Sequence, residues 1–351
     1  MAWKPLSRPT TGLDVGSYSV KLLARMPGSG PEQYRAAEAP VPGARPESPP
    51  APDKLAAAIT DCLARAGLTL HSAGRIAVGI SGPQVVVKQI LLPLMQEREV
   101  GQALRFEARK HVPFDPQSMV MDHQVLGRDT EDRRLQVLMA AVSEEHIERH
   151  LAPFRALGTE PDCLDATPLA LSNAILQAHD PAGEARTLLD IGYTSSHLTL
   201  YQPGEQYFTR RLDFGGHHLT RAIAAARGIS LERAEELKLD AAGAGAGPDG
   251  SWDRPEQLAM LDCLRDDLMA ELRRSLAFYR TIGPLPDPLS LWISGGSARL
   301  AGLAARLSEL LGSAARVFDP LVPLRDRMLG SIEASDGPQF AQAFGLALRN
   351  A

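Results

Sequence analysis

The sequence predicts an α/β protein of two similar lobes, and three short stretches carry this prediction. "GLDVGSYSVKLL" near the start alternates apolar and polar residues on both sides of a Gly-Ser turn, which is the pattern of a β-hairpin. "LLDIGYTSSHLTL" in the second half repeats the pattern, so that Asp14 and Gly16 correspond to Asp190 and Gly192. "LSLWISGGSARLAGLAARLSELLG" predicts a buried strand, a Gly-Gly turn and an amphipathic helix. We therefore expect one acidic hairpin in each lobe and a third glycine turn that completes the set.

Composition indicates a globular protein with a large core. The 351 residues are 44% hydrophobic and 23% charged, and this length suggests two domains or one two-lobed fold. The net charge of −5, with acidic and basic residues interspersed, argues against nucleic acid as a partner. Cys62, Cys163 and Cys263 have no metal-ligand spacing, which fits buried thiols in a reducing compartment. Because no apolar run is long enough to span a bilayer, we expect a cytoplasmic location, with any membrane role passing through a partner.

The order of predicted elements indicates an insertion within the first lobe. Residues 97–158 predict helix, strand, strand and helix, a block with the size of a small inserted subdomain. The first lobe is then expected to comprise residues 1–96 and 159–184. The second lobe is expected to comprise 185–214, a subdomain at 215–288 and a continuation at 289–334, with a terminal helix at 335–351 that returns to the first lobe.

The two hairpin turns have the residues of a phosphate site. A tight turn of glycine, serine and threonine directs several backbone N–H groups and hydroxyls into one concavity, which binds phosphate oxygens. Asp14 and Asp190 at the strand ends are expected to hold Mg²⁺ through water, because this ion retains most of its own waters. Lys21, on the second strand of the first hairpin, can reach a phosphate as a point charge. Tyr18 and Tyr193 depart from the pattern, since small residues are common at their positions.

Several further stretches resemble the PilM family of actin-like proteins of type IV pilus assembly. They are "FEARKHVPFDPQSMVMDHQVLG", "DFGGHHLTRAI", "AEELK", "WISGGSARLAGL" and "FGLALR". The two Asp-x-Gly hairpins and the Gly-Gly-Ser-Ala segment also resemble the phosphate 1, phosphate 2 and adenosine motifs of the actin, Hsp70 and sugar-kinase superfamily. The resemblance runs from about residue 11 to the end of the chain. It implies an actin-like, ribonuclease H-like two-lobed ATPase fold with an FtsA-type inserted subdomain.

The resemblance also implies that the cleft binds ATP and Mg²⁺. The first motif would bind the nucleotide through Asp14, Gly16, Ser17, Ser19 and Lys21. The second would contact the phosphates through Gly192, Thr194 and Ser195, with Asp190 toward the metal. The ribose and base would be approached by Glu235 or Glu236 and by Lys238, and the adenine side would be lined by Gly295, Gly296, Ser297 and Arg299.

The function that the resemblance implies is that of an adaptor at the inner membrane, with slow or incidental hydrolysis. The protein would bind the cytoplasmic N-terminal tail of the inner-membrane protein PilN in a groove beside the inserted subdomain. Other components of the pilus machine and self-association are further candidates. Nucleotide would fix the angle between the lobes and so bias partner binding. The final "PQFAQAFGLALRNA" lacks a basic face and predicts a core helix rather than a membrane anchor.

The alternative is an ATP-hydrolysing enzyme or small-molecule kinase of the same superfamily. A sugar kinase needs a general base for its acceptor hydroxyl, and Asp165 is a candidate by position, although a cap for the helix that follows is favoured. His146 and His150 share a helix face without a third ligand nearby in the sequence, so surface histidines are favoured over a metal site. His217 and His218 are expected to begin a helix rather than to take part in catalysis.

Overall fold

A computed structural model of the chain describes residues 8–27, 32–178, 186–202, 206–244, 252–281, 290–330, 332 and 334–349. The strands are β1 (Thr10–Val15), β2 (Ser19–Met26), β3 (Gln33–Pro40), β4 (Arg75–Ile80), β5 (Val85–Pro93), β6 (Met119–Asp129), β7 (Arg134–Ser143), β8 (Cys163–Ala166), β9 (Arg186–Ile191), β10 (Ser196–Gln202), β11 (Gln206–Leu212), β12 (Leu291–Ser294) and β13 (Ala315–Val317). The helices are α1 (Pro52–Arg65), α2 (Glu97–Ala108), α3 (Glu144–Ala156), α4 (Thr167–Ala178), α5 (Gly216–Arg227), α6 (Leu231–Ala244), α7 (Pro255–Cys263), α8 (Met269–Tyr279), α9 (Leu303–Leu311) and α10 (Ala341–Ala347).

Two of the sheets share one topology. The first has the order β3-β2-β1-β4-β8 and the second the order β11-β10-β9-β12-β13. In each sheet three antiparallel strands are followed by two parallel ones, with the hairpin β1–β2 or β9–β10 at the centre. The near-repeat in the sequence therefore belongs to a repeat of whole sheets, one for each lobe.

Both sheets are buried on two faces. Leu13, Val20 and Leu22 pack with Ile59 of α1 in the core of the first lobe. Neighbouring residues of a strand point to opposite faces, so Leu23 lies on the other side of the same sheet. There it joins a cluster that includes residues of α4, α10 and the second lobe, and this cluster connects the two lobes.

Two glycines allow α10 to lie against its neighbours at short distance. A Cβ on Gly12 of β1 would come within 2.0 Å of the Ala343 carbonyl oxygen of α10. A Cβ on Gly345 would come within 1.8 Å of the Ala170 carbonyl oxygen of α4. Any side chain at either position would push these elements apart, so the close packing of α10 against the first lobe requires glycine.

The third sheet, ordered β5-β7-β6, forms the inserted subdomain together with α2. Val100 and Leu104 of α2 cover one face of this sheet. Strand β5 belongs to the sheet although it precedes residue 97, and α3 packs through Phe154 into the core of the first lobe. The packing thus differs at both ends from the predicted boundaries of 97–158, because a single strand pattern does not reveal which sheet the strand joins.

The helix after the Gly-Gly turn also begins later than its apolar pattern predicts. A short 3-10 turn spans Gly296–Arg299, and α9 follows only from Leu303. Gly302, with φ of +83°, precedes that helix in the left-handed region. Among the helices that the structure describes, none has both the length and the hydropathy to cross a membrane.

Candidate functional site

The two acidic hairpins have the same local geometry. Val15 lies opposite Val20 in the first hairpin and Ile191 lies opposite Ser196 in the second, so residues 16–19 and 192–195 form equivalent turns. A Cβ on the leading glycine of either turn would come 2.8 Å from the carbonyl oxygen three residues later. Both turns therefore need glycine, and the hairpin pair predicted from the sequence is confirmed.

The aspartates of the two hairpins face a common cleft. Lys21 Nζ lies 3.8 Å from Asp14 Oδ2, and the Ser294 hydroxyl donates to Asp190 Oδ1 at 2.7 Å. Burial raises the pKa of both carboxyls, and it brings that of Asp190 to about 6, with the charge of Asp14 as a further cause. A buried and a partly buried carboxylate thus share the field of one lysine, an arrangement that favours an added cation.

His197 occupies the position in the second hairpin that Lys21 occupies in the first. Strand register sets Lys21 opposite Asp14 and His197 opposite Asp190. Burial lowers the pKa of His197 to about 4, and Arg211 adds to the shift, so the ring is neutral at pH 7. The sequence analysis missed this residue, although alignment of the two hairpins on their aspartates matches it with Lys21.

A cavity of about 590 Å³ adjoins His197 between the third sheet and the second lobe. Strands β5 and β11 form its two sides, and the Tyr207 N–H donates to Gln89 Oε1 across it at 2.6 Å. Lys88, Arg210 and Arg211 line the cavity, and its described lining includes no carboxylate. The environment beside His197 is therefore electropositive.

Helix α5 begins directly against the second turn. The Gly216 N–H donates to the Gly192 carbonyl at 2.8 Å, and the His217 N–H donates to the Tyr193 carbonyl at 2.8 Å. The His218 ring accepts from the Gly215 N–H at 3.1 Å, so the expectation that His217 and His218 begin a helix is confirmed. The positive end of the helix dipole lies at this turn, which suits a phosphate group.

The residues predicted for the ribose side are divided between two faces of α6. Lys238 Nζ donates to the Gly216 carbonyl, the Thr220 hydroxyl and Glu235 Oε2 at 3.1, 2.9 and 2.7 Å. These bonds use all three ammonium protons, so a contact between Lys238 and a ligand requires one of them to be exchanged. Glu236 is exposed and pairs with Arg233 at 2.6 Å, away from this group.

The Gly-Gly turn lies beside the end of β9. Gly295 has φ of +89°, and a Cβ there would come 2.5 Å from the Ile191 carbonyl oxygen. Gly296 faces open space within 4 Å, and Ser297 is buried. Arg299 pairs with Asp336 at 2.6 Å, which turns its guanidinium toward the segment before α10.

The remaining serines and threonine of the two turns stay at the cleft. Ser17 and Ser19 belong to the first turn, and Ser19 is buried. Thr194 and Ser195 belong to the second, and both are partly buried. Each turn thus has two hydroxyl side chains beside its glycine, which give it a polar lining. The structure therefore brings together the predicted residues of the two phosphate turns and separates Glu236 from them.

One other prediction is corrected, and one candidate residue has an unforeseen partner. Asp165 is a buried residue of β8 whose carboxylate pairs with Arg349 at 2.5 Å, a partner that neither the base nor the cap interpretation included. His146 is buried with Nε2 2.8 Å from the Ser81 carbonyl oxygen, and His150 is partly buried, so the surface prediction was wrong. No group of potential metal ligands occurs among the residues that the structure describes.

The cysteines match their prediction in part. Cys62, Cys163 and Cys263 are free thiols. Cys62 is buried, whereas the other two are only partly buried. Burial raises the pKa of all three thiols, to about 12 for Cys62 and Cys263. The reactive thiolate form is therefore disfavoured in all three at neutral pH.

Two lobes with one acidic hairpin each, joined by helices between their sheets and completed by a Gly-Gly turn, define the chain as a protein of the actin-like ATPase fold. The sequence profile of the family described as "Type IV pilus assembly protein PilM" matches residues 12–351. The chain therefore belongs to that family, and the predicted fold and family are both confirmed.

Two solved structures are similar to nearly the whole chain, and one known relative is similar to about half of it. A solved structure described as "PilM-PilN type IV pilus biogenesis complex" is 28% identical, with a TM-score of 0.77 over 98% of each chain. MreB5 of Spiroplasma citri bound to ADP has a TM-score of 0.50 at 10% identity, over 97% of this chain and 95% of that one, and shows the fold alone. The cell division protein FtsA of Bacillus subtilis (strain 168) is 24% identical over 204 residues, which are 52% of this chain and 43% of FtsA. The match thus spans less than half of that relative.

Proposed function

We propose that the protein is a nucleotide-binding adaptor of type IV pilus assembly, in which bound nucleotide sets the angle between the lobes and a groove beside the inserted subdomain binds the tail of PilN. The observation that carries the nucleotide site is the pair of carboxylates, the partly buried Asp14 and the buried Asp190, between two polar glycine turns. The family assignment and the PilM-PilN relative support the adaptor function.

The charge of the cleft fits magnesium and a polyphosphate. The charge of Lys21 lowers the pKa of both aspartates, and the Ser294 hydroxyl lowers that of Asp190, yet burial still raises both pKa values. A divalent ion held through water by Asp14 and Asp190 would supply the missing positive charge. The two turns would bind phosphate oxygens through backbone N–H groups and hydroxyls, and the positive end of the α5 dipole would add to the attraction. An ADP-bound relative of the same fold, MreB5, supports a nucleotide as the ligand.

The packing between the lobes would allow nucleotide binding to change the angle between them. Leu23 of the first sheet and Leu188 of the second belong to one cluster with Phe344 of α10. The same faces of these sheets carry Lys21 and Asp190, because residues two apart on a strand share a face. A ligand that draws Asp14 and Asp190 toward one metal ion would therefore rotate the sheets about α4 and α10.

The partner groove is proposed at the β6 edge of the third sheet, on the face opposite α2. In β6, Met119, Met121 and Val125 turn toward α2, so the alternate residues turn to the opposite face. Val120 and Leu126 on that face are 49% and 44% exposed. An extended peptide laid along a sheet is a recurring recognition mode, and its apolar residues would cover these two side chains.

Charges at the same boundary support this location. Asp122 lies between Val120 and Leu126 along β6 and is exposed. Burial raises the pKa of Asp165 in the first lobe, and the charge of Asp122 adds to that shift, so this part of β6 lies near the first lobe. Asp122 therefore places an exposed carboxylate within the apolar strip of β6, which suits a tail with apolar and basic residues.

The nucleotide site is tested by calorimetry of Mg·ATP binding to Asp14→Ala and Asp190→Ala. Each substitution is expected to weaken binding at least tenfold, about 1.4 kcal/mol. Asp213→Ala, which removes an 84% exposed side chain at the end of β11, is the matched control and should bind normally. Wild-type affinity in both aspartate variants would refute the nucleotide site.

The partner groove is tested with a peptide of the cytoplasmic N-terminal tail of PilN. Val120→Asp and Leu126→Asp should each weaken peptide binding at least tenfold by removing apolar contact area. Phe106→Asp is the control, because Phe106 is 64% exposed on α2, the helix that covers the other face of the same sheet. Loss of binding in the control alone would move the groove to the helix side.

Turnover separates the adaptor from the kinase alternative. Bound nucleotide per chain and phosphate released over time are measured in one sample of purified protein with Mg·ATP. Near-stoichiometric nucleotide with negligible release supports an adaptor. Rapid hydrolysis without a partner would favour an enzyme, although its candidate base, Asp165, is engaged by Arg349.

A further inference from the structure

The two tyrosines that depart from the turn pattern meet across the cleft. Tyr18 lies in the turn of the first hairpin and Tyr193 in the turn of the second, and their ring centroids are 4.8 Å apart with planes inclined by 41°. Both side chains are partly exposed, so the pair lies where the cleft opens to solvent. The lobes are thus in aromatic contact through the same two turns that are proposed to hold the phosphates.

Each tyrosine is fixed separately in its own lobe. The Tyr18 carbonyl oxygen accepts from the Val41 N–H at 2.9 Å, and the Tyr193 carbonyl oxygen accepts from the His217 N–H at 2.8 Å. The His217 ring and Lys238 Nζ lie 5.9 Å from the Tyr193 ring centroid. Because the two backbones are braced by different elements, the rings separate when the lobes rotate apart or when a side chain changes rotamer.

Both phenol rings are neutral at pH 7, and they lie near Glu235, one of the residues proposed for the ribose side of the nucleotide. Burial raises the pKa of both phenols, that of Tyr193 to about 12, and the charge of Glu235 raises both further. Glu235 is the residue that the α6 packing leaves facing this cleft. Tilted aromatic pairs at this separation attract each other through their ring quadrupoles.

We propose that Tyr18 and Tyr193 form an aromatic latch that closes the nucleotide cleft and sets the rate at which nucleotide enters and leaves. The inference rests on the proposed nucleotide site and adds two residues to it. With the rings in contact, the lobes are held at one angle and the cleft is shielded from water. Entry and release require the contact to break, so the latch slows exchange in both directions.

Stopped-flow release of a fluorescent ADP analogue tests the latch. Tyr18→Ala and Tyr193→Ala should each speed release about threefold to tenfold, the range expected for one aromatic contact. The double variant should be no faster than the singles, because both substitutions remove the same contact. Tyr18→Phe and Tyr193→Phe keep the rings and should release at the wild-type rate. Unchanged release in the alanine variants, or effects that multiply in the double variant, would overturn the latch.

A reversible cross-link separates the latch from the nucleotide site itself. Tyr18→Cys and Tyr193→Cys are combined in a chain whose three native cysteines are replaced by alanine, with each single cysteine as a control. A disulfide requires Cα atoms closer than ring contact guarantees, so a reducible thiol-to-thiol cross-linker as long as two tyrosine side chains in contact joins the two cysteines. The cross-link should form without nucleotide and block exchange, and reduction should restore exchange. A chain that binds nucleotide but exchanges it at the uncross-linked rate when the cysteines are joined contradicts the latch. A chain that forms the cross-link but binds no nucleotide even after reduction contradicts the nucleotide site instead.

Discussion

Lys21 and His197 stand at equivalent positions of the two hairpins, each directly opposite the aspartate of its own turn. Lys21 lies 3.8 Å from Asp14, whereas His197 is buried beside Arg211 with a pKa lowered to about 4. The first hairpin therefore has a cation opposite its aspartate and the second has a neutral ring. Asp190 instead accepts a hydrogen bond from the hydroxyl of Ser294. The pseudo-symmetry of the backbone does not extend to the charges.

This difference predicts unequal effects of substitution on nucleotide binding. Lys21→Met should weaken Mg·ATP binding about tenfold, because it removes the lysine whose charge acts on both aspartates. His197→Gln should change the affinity less than threefold, since the neutral ring supplies no charge at pH 7. Calorimetry at pH 7.5 measures both. Equal losses in the two variants would contradict the assignment of phosphate binding to Lys21.

Asp190 predicts a stability that falls as pH rises. Its pKa in the folded protein, about 6, lies above the unfolded value of 3.8, so the folded state binds more protons between these pH values. The charged carboxyl thus costs the nucleotide-free fold an amount that grows from about pH 4 to pH 6 and is constant above, about 3 kcal/mol. Asp190→Asn should therefore be more stable than wild type at pH 8 and similar near pH 4.

Urea unfolding at pH 4, 6 and 8 tests this expectation, with Asp213→Asn as the exposed control. The gain in stability should come with a loss of Mg·ATP binding, because the amide cannot hold the metal as a carboxylate does. An Asp190→Asn variant that is less stable than wild type at pH 8 would show that the carboxylate has a structural partner which outweighs its burial.

Local patterns were sufficient for the parts of the fold that one strand pair determines. Asp14 and Asp190 end strands of alternating residues, and both hairpins formed where that alternation predicted them. Strand β5 has a comparable pattern, yet it pairs with β7 in the inserted sheet. Nothing in its own residues distinguishes these partners, because pairing depends on contacts that are distant in sequence. The edges of the insertion therefore could not be read from the sequence.

The site was predictable to the level of a segment but not of a side chain. "AEELK" pointed to the region of α6, yet Glu235 and Glu236 are adjacent, and only the orientation of the helix shows which one faces Lys238. Arg349 could not be foreseen as the partner of Asp165, since the two lie far apart in sequence. His197 could have been predicted, because the sequence repeat aligns it with Lys21.

The Gly-Gly turn offers a substitution that would obstruct a ligand without disturbing the fold. Gly296 has no neighbouring atom within 4 Å of the position of a Cβ and no positive φ, so Gly296→Ala should leave the melting temperature unchanged. If nucleotide lies against this backbone, the added methyl should weaken binding about tenfold. Gly295→Ala is the contrasting variant, since its φ of +89° and the Ile191 carbonyl at 2.5 Å should lower stability. Normal binding by Gly296→Ala would remove this turn from the site.

The buried ion pair between Asp165 and Arg349 gives the last prediction. Arg349→Met would leave a 2% exposed carboxylate without its cation, and the fold should lose about 2 kcal/mol, less than for a fully buried pair because Arg349 is 39% exposed. Adding Asp165→Asn to that variant should restore most of the loss, since a neutral amide needs no counter-ion. Chemical denaturation of the two single variants and the double variant measures this coupling.

The Asp165→Asn variant also tests the kinase alternative. If Asp165 is structural, this variant should release phosphate from ATP at the wild-type rate. A fall of a hundredfold or more with unchanged stability would instead identify Asp165 as a general base and favour the kinase.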